Sequence, residues 1–186
     1  MNKKNISIIV VVALVAIVGL FFLTTYNSLV KKEEACSQQW SKVESQYQRR
    51  MDLIPNLVST VKGYAKHEEE TLLKVIEARN NATQEQMAQF QQSQDALSSA
   101  LKGLNVVIER YPDLKANQNF LQLQSQLEGT ENRIAVERQR YADIVNNYNT
   151  SIRRFPTNIA ASCLGFEKKA YFEAQKGADV APQVEF

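Results

Sequence analysis

The residues of this 186-residue chain that could do chemistry begin with its one histidine, His67, followed directly by Glu68, Glu69 and Glu70. A zinc protease motif needs a second histidine four residues from the first, and none exists. A di-metal helical bundle needs Glu-x-x-His, whereas here the histidine precedes its glutamates. Serine or cysteine nucleophiles find no other histidine as base, no G-x-S-x-G elbow occurs, and the glycines are too scattered for a phosphate loop. His67 therefore reads as a solvated residue near a helix start. Neither catalytic nor metal-ligating residues are expected, nor a cofactor or small-molecule substrate; only carboxylates leave a route to an enzyme or metal binder.

Cys36 and Cys163 lie far apart with no C-x-x-C or Cys/His cluster. They read as two small buried apolar residues, or as a pair if the domain is extracytoplasmic. A formal net charge of +2, with signs alternating along the chain, provides no concentrated basic stripe for nucleic acid.

The elements that must position these residues begin with a membrane signal. Ile6 to Leu23, including Val11, Leu14 and Leu20, is an apolar run without a charged side chain, flanked by Lys3-Lys4 and Lys31-Lys32. At about 1.5 Å per helical residue, roughly 18 to 20 residues match a hydrocarbon core of about 30 Å. A cleavable signal would be shorter and would end at a small-x-small site, but this run continues through Phe21, Phe22 and Leu23. The expectation is a single-pass protein of a bacterial inner membrane. The positive-inside count is nearly tied, and the reading chosen puts the N-terminus in the cytoplasm and the domain outside it.

Beyond the anchor, about 160 residues suffice for one domain with a real core. From Tyr26 to Tyr64 two seven-residue phases run in parallel: Tyr26, Trp40, Tyr47, Ile54 and Val61, and then Leu29, Cys36, Val43, Leu57 and Tyr64, with Arg50 interrupting the second. This is a coiled-coil type of seam, and it starts close enough to the span for one continuous helix. Pro55 predicts a kink, with Asp52 placed to cap a restarted helix.

Glu68 to Arg79 predicts a second helix with Leu72, Leu73 and Ile76 inward. Thr83 and Gln86 form a capping box for a third, which carries Met87, Leu101 and Ile108 on one phase and Phe90, Leu97 and Leu104 on another, its glutamines facing solvent. After Tyr111-Pro112-Asp113 the longest helix is expected to run to Arg154. Its beat is Phe120, Leu127, Ile134, Tyr141, Tyr148 and Phe155, with Glu131, Glu137 and Arg138 in a polar middle.

If that helix lies antiparallel to the first, in a register pairing residue numbers that sum to about 184, Arg50 comes near Glu131 and Glu137. These three are candidates for an interhelix polar layer, or for side chains that snorkel to the rim. The tail with Phe166, Lys168, Lys169, Tyr171 and Phe172 reads either as a cap on the bundle or as an element at the membrane interface. The fold class is all-α, an N-terminal transmembrane helix followed by an elongated antiparallel bundle of about four helices, two of them long. The divisions are 1–25 for the anchor, 26–154 for the bundle and 155–186 for the tail.

Several stretches together resemble the bacterial LemA family: Gln48-Arg49-Arg50-Met51-Asp52-Leu53-Ile54-Pro55-Asn56-Leu57-Val58, Glu77-Ala78-Arg79, Tyr111-Pro112-Asp113-Leu114, Leu127-Glu128-Gly129-Thr130-Glu131-Asn132-Arg133-Ile134 and Arg154-Phe155-Pro156-Thr157-Asn158. They occur in the family's order and cover nearly the whole chain. The resemblance implies a membrane-anchored helical bundle without recognised enzymatic activity, in a family whose relatives include magnetosome-associated members. One departure is Tyr141-Ala142, where the family pattern has Tyr-Asn; Tyr148-Asn149 is kept.

The function expected is a non-catalytic membrane scaffold that self-associates or binds envelope proteins. The alternative is an adaptor or regulator of an integral membrane protease or signalling protein. The partners expected are the lipid bilayer, further copies of the chain and an envelope membrane protein.

Overall fold

A computed structural model of the chain describes residues 3–65, 67–82 and 87–172. Among the described residues there are six helices and no strand: α1 (Lys3–Tyr64), α2 (Glu69–Asn80), α3 (Met87–Ile108), α4 (Pro112–Lys115), α5 (Gln118–Arg153) and α6 (Thr157–Cys163). The protein is all-α, as its periodicity requires. The expected capping box at Thr83 and Gln86 lies outside the described residues.

The longest helix is α1, 62 residues, which carries the apolar run and the first seam without interruption. Its apolar segment makes no core: Ile8, Val15 and Leu20 are each more than 60% exposed. By length and composition this helix can cross a membrane. Past it the seam turns inward, and Leu29, Cys36, Val43, Arg50 and Leu57 are all buried at seven-residue intervals. Pro55 lies inside α1, so the helix does not restart at Asp52, which instead accepts a hydrogen bond from Gln48 Nε2 at 2.8 Å. Proline supplies no amide for the carbonyl of Met51. That carbonyl accepts from Arg79 Nε of α2 at 3.0 Å.

The chain gathers into two units, each built from parts of α1 and α5. One joins the residues up to Ser41 with Gln139–Tyr171, and the other joins Lys42–Arg138 with Phe172.

In the second unit, Met51, Ile54, Val61, Leu72, Val75, Leu97, Leu104 and Phe120 belong to one core. Two sequence expectations fail here. On α2 the inward stripe is Leu72 and Val75, and Leu73 and Ile76 are exposed; about 100° of turn per residue carries them round from that stripe. The last long helix is not continuous from Tyr111, because Pro112 starts only the four-residue α4. α5 then begins at Gln118, where Asn117 Oδ1 accepts from the Phe120 amide at 3.0 Å and so satisfies one open donor of the first turn.

In the first unit, α1 and α5 run antiparallel, with Trp40 against Tyr141 (ring centroids 5.5 Å apart) and Lys32 bonded to Ser151. Phe155 does not extend the α5 stripe: it lies past the helix end, 76% exposed, where the chain turns into α6. α6 buries Ala160 and Ala161 and closes at Gly165, whose φ of 77° is left-handed and suits glycine. Phe166 N–H reaches back to Ala161 O at 3.0 Å. Cys36 is buried and Cys163 exposed, and both are free thiols. The expectation that both are buried therefore fails for Cys163, which occupies the last residue of a short surface helix.

Candidate functional site

In the second unit Arg50 holds a core position of the α1 seam and is 1% exposed. Its Nη1 donates to Glu131 Oε1 on α5 at 2.8 Å and to Ser98 Oγ on α3 at 2.9 Å. Its Nη2 donates to the Gln94 carbonyl at 3.1 Å and also to Gln94 Oε1. Gln94 in turn donates from Nε2 to Ala82 O at 3.0 Å, and the guanidinium sits 5.2 Å from the centre of the Tyr47 ring. Arg50 Nε has no hydrogen-bond partner. Glu137 is half-buried on α5 and is not among these partners.

Sequence reasoning brought α1 and α5 together at this layer and missed α3. The expectation that the α3 glutamines face solvent fails for Gln91 and Gln94, both buried. Gln94 lies four residues after Phe90 and three before Leu97, within the apolar stripe, and that spacing was the available signal. Moving a guanidinium out of water costs several kcal/mol, offset only when its donors are satisfied. Here α3 and α5 supply the acceptors. The layer holds a cation with one half-exposed carboxylate (43%), and its contacts tie α1, α3 and α5 into one register.

In the first unit a different set of polar groups meets backbone. After Gly165 the chain runs back along α1 and α5 as a strap. Phe166 packs on Tyr26 with ring centroids 5.9 Å apart, and Lys169 Nζ pairs with Glu33 at 2.7 Å. Tyr148 hydroxyl donates to Glu167 O at 2.9 Å, and Tyr141 hydroxyl to Ala170 O at 3.3 Å. Asn149 holds Lys169 both ways, its Nδ2 donating to Lys169 O and its Oδ1 accepting from Lys169 N–H, each at 2.9 Å. An extended segment has no internal partners for its peptide groups. The α5 seam supplies them, which explains why its apolar beat changes to tyrosine at this end.

Burial pushes the Tyr148 phenol up to about 12, with Glu33 adding to the effect. Burial likewise raises Tyr141, and raises the Cys36 thiol although Lys169 opposes it. His67 is exposed in the turn before α2, and among the described residues no group of three or more His, Cys, Asp or Glu side chains could hold a metal ion.

Residues 39–186 match the family described as the LemA family. The chain belongs to the LemA family. It is 25% identical over 164 residues to Protein LemA of Metamycoplasma hominis, covering 86% of this chain and 75% of that protein. It is 26% identical over 209 residues to magnetosome protein MamQ 2 of Paramagnetospirillum magneticum, covering 96% and 75%. To magnetosome protein MamQ of Magnetospirillum gryphiswaldense it is 22% identical over 218 residues, covering 99% and 79%. The matched region of this LemA-family chain includes Arg50, Gln94, Ser98 and Glu131 and also the tyrosine and asparagine contacts of the strap. At Ala142 the side chain can offer no amide bond of the kind Asn149 makes.

Because Arg50 joins α1 to acceptors on both α3 and α5, Arg50→Met should destabilise the protein by about 3–5 kcal/mol, while Glu131→Gln costs about 1 kcal/mol or less. The exchanged pair Arg50→Glu with Glu131→Arg should not recover stability, since a carboxylate at 50 would face the Gln94 carbonyl; denaturant midpoints measure this.

Tyr148 binds its proton more tightly folded than unfolded, so its contribution is complete below pH about 10 and disappears as pH rises toward 12. The fall in melting temperature between those values should be shallower in Tyr148→Phe than in the wild type.

Proposed function

We propose that this LemA-family protein is a non-catalytic, membrane-anchored scaffold that associates with further copies of itself through its helical surface. The observation that carries the reading is the α1 run from Ile6 to Leu23, whose aliphatic side chains are exposed although the same helix is well packed from Leu29 onward. Such a surface wants lipid. Support for association comes from apolar side chains left outside in the second unit, among them Leu73, Val106, Leu121 and Val136. With the N-terminus in the cytoplasm, the helical part would work in the extracytoplasmic space.

Extraction of the full-length protein in mild detergent, followed by light scattering, tests the assembly. A homomeric particle of several chains is expected. A monomer that carries one stoichiometric membrane-protein partner would replace the scaffold by an adaptor or regulator.

Orientation is read with the native thiols. Cys163 is exposed, while Cys36 is buried and its thiolate disfavoured. A membrane-impermeant maleimide should label Cys163 in intact spheroplasts and leave Cys36 unlabelled; labelling only after lysis would reverse the orientation.

A further inference from the structure

A cavity of about 430 Å³ opens in the first unit where the apolar run of α1 ends. Its lower edge is Phe21, and its wall carries two cations, Lys32 and Arg154, with the hydroxyls of Thr25, Ser28 and Thr157. No acidic side chain lines it. The nearby Glu33 is paired with Lys169.

The donors are available. Lys32 Nζ spends one hydrogen on Ser151, whose own hydroxyl proton goes to Asn147 O at 2.7 Å. Arg154, exposed just past the end of α5, offers a guanidinium. Thr25 is buried in the wall. Two cations and several hydroxyl donors without a carboxylate form a site for a strongly accepting oxyanion, and a phosphate group matches both the charge and the number of acceptors.

The height of the site narrows the source. Ser28 lies five residues beyond Leu23, about 7.5 Å along the helix, and the headgroup layer occupies about 5–8 Å on each side of the hydrocarbon. Lys32 reaches down from one turn further, as long cationic side chains do at an interface. Phe21 and Phe22 mark the apolar edge.

We infer that this cavity binds a phosphate group, supplied by an anionic phospholipid whose headgroup enters between α1 and the start of α6 while its chains lie along Phe21. The lipid source rests on the reading of α1 as a membrane span, whereas the phosphate chemistry of the cavity does not. The volume falls within the range of about 300–1,000 Å³ usual for small-ligand sites, enough for a phosphodiester with its headgroup.

The purified full-length protein in non-ionic detergent is titrated with phosphatidylglycerol, with diacylglycerol of the same chains, and with inorganic phosphate, the melting temperature being followed. Phosphatidylglycerol should give a saturable rise and diacylglycerol none. Lys32→Gln with Arg154→Gln should weaken the apparent affinity by about tenfold or more, Lys32→Arg should retain it, and Lys62→Gln with Lys102→Gln, both exposed and outside the cavity lining, should leave it unchanged.

Arg154→Gln alone, a surface change, guards against a folding defect and should weaken binding on its own. An equal response to inorganic phosphate, lost in the same variants, keeps the site and makes free phosphate its source. The inference is overturned if neither phosphate compound gives a saturable rise, or if the Lys32 and Arg154 variants respond like the wild type. Carbonate extraction of wild-type membranes reports separately on the anchor, because release there would remove the span and leave the phosphate titration interpretable.

Discussion

The constraint on which the structure depends is the solvation of one helix face after another along α1. Twelve large apolar residues between Ile6 and Leu23 are exposed. Burial of each such side chain contributes about 1.5–3 kcal/mol, so together they forgo more burial energy than the roughly 5–15 kcal/mol that stabilises a typical domain. A bilayer removes that cost without protein contacts. The change from exposed to buried at Leu29 marks where the helix gains partners from its own chain.

Beyond that point the chain satisfies polar groups in two ways. In the second unit a buried cation is surrounded by acceptors from α1's neighbours, so that the layer at Arg50 tolerates only one arrangement of Gln94, Ser98 and Glu131. In the first unit the buried groups belong to the tyrosines and Asn149 of α5, and their partners are peptide groups of the strap. Both devices select an arrangement more than they add stability, because each polar contact largely replaces one made with water. Pro55 follows the same logic, since the carbonyl it leaves without an amide is taken up by Arg79.

The functional reading follows from where chemistry is missing and where charge collects. Among the described residues no group of three or more His, Cys, Asp or Glu side chains could hold a metal ion. Two cations and several hydroxyls do converge where the apolar run ends. In this LemA-family chain they gather at the boundary between the exposed and the packed parts of α1.

By itself the sequence determined the long apolar run, the all-α class and the seven-residue seams, and it offered the opposition of Arg50 to Glu131 as one of two readings. Each is a property of helical period, charge and register, which neighbouring residues in the chain set. It could not determine the α3 contribution to the Arg50 layer, the link from Arg79 to Met51, the strap held by Tyr141, Tyr148 and Asn149, or the cavity between Lys32 and Arg154. Those contacts join residues far apart in the chain, and polar side chains such as Gln94 or Asn149 read as solvated until a specific partner is seen. Even Leu73 and Ile76, apolar and on a helix, were left outside, because periodicity defines a stripe while only packing decides which edge of it is covered.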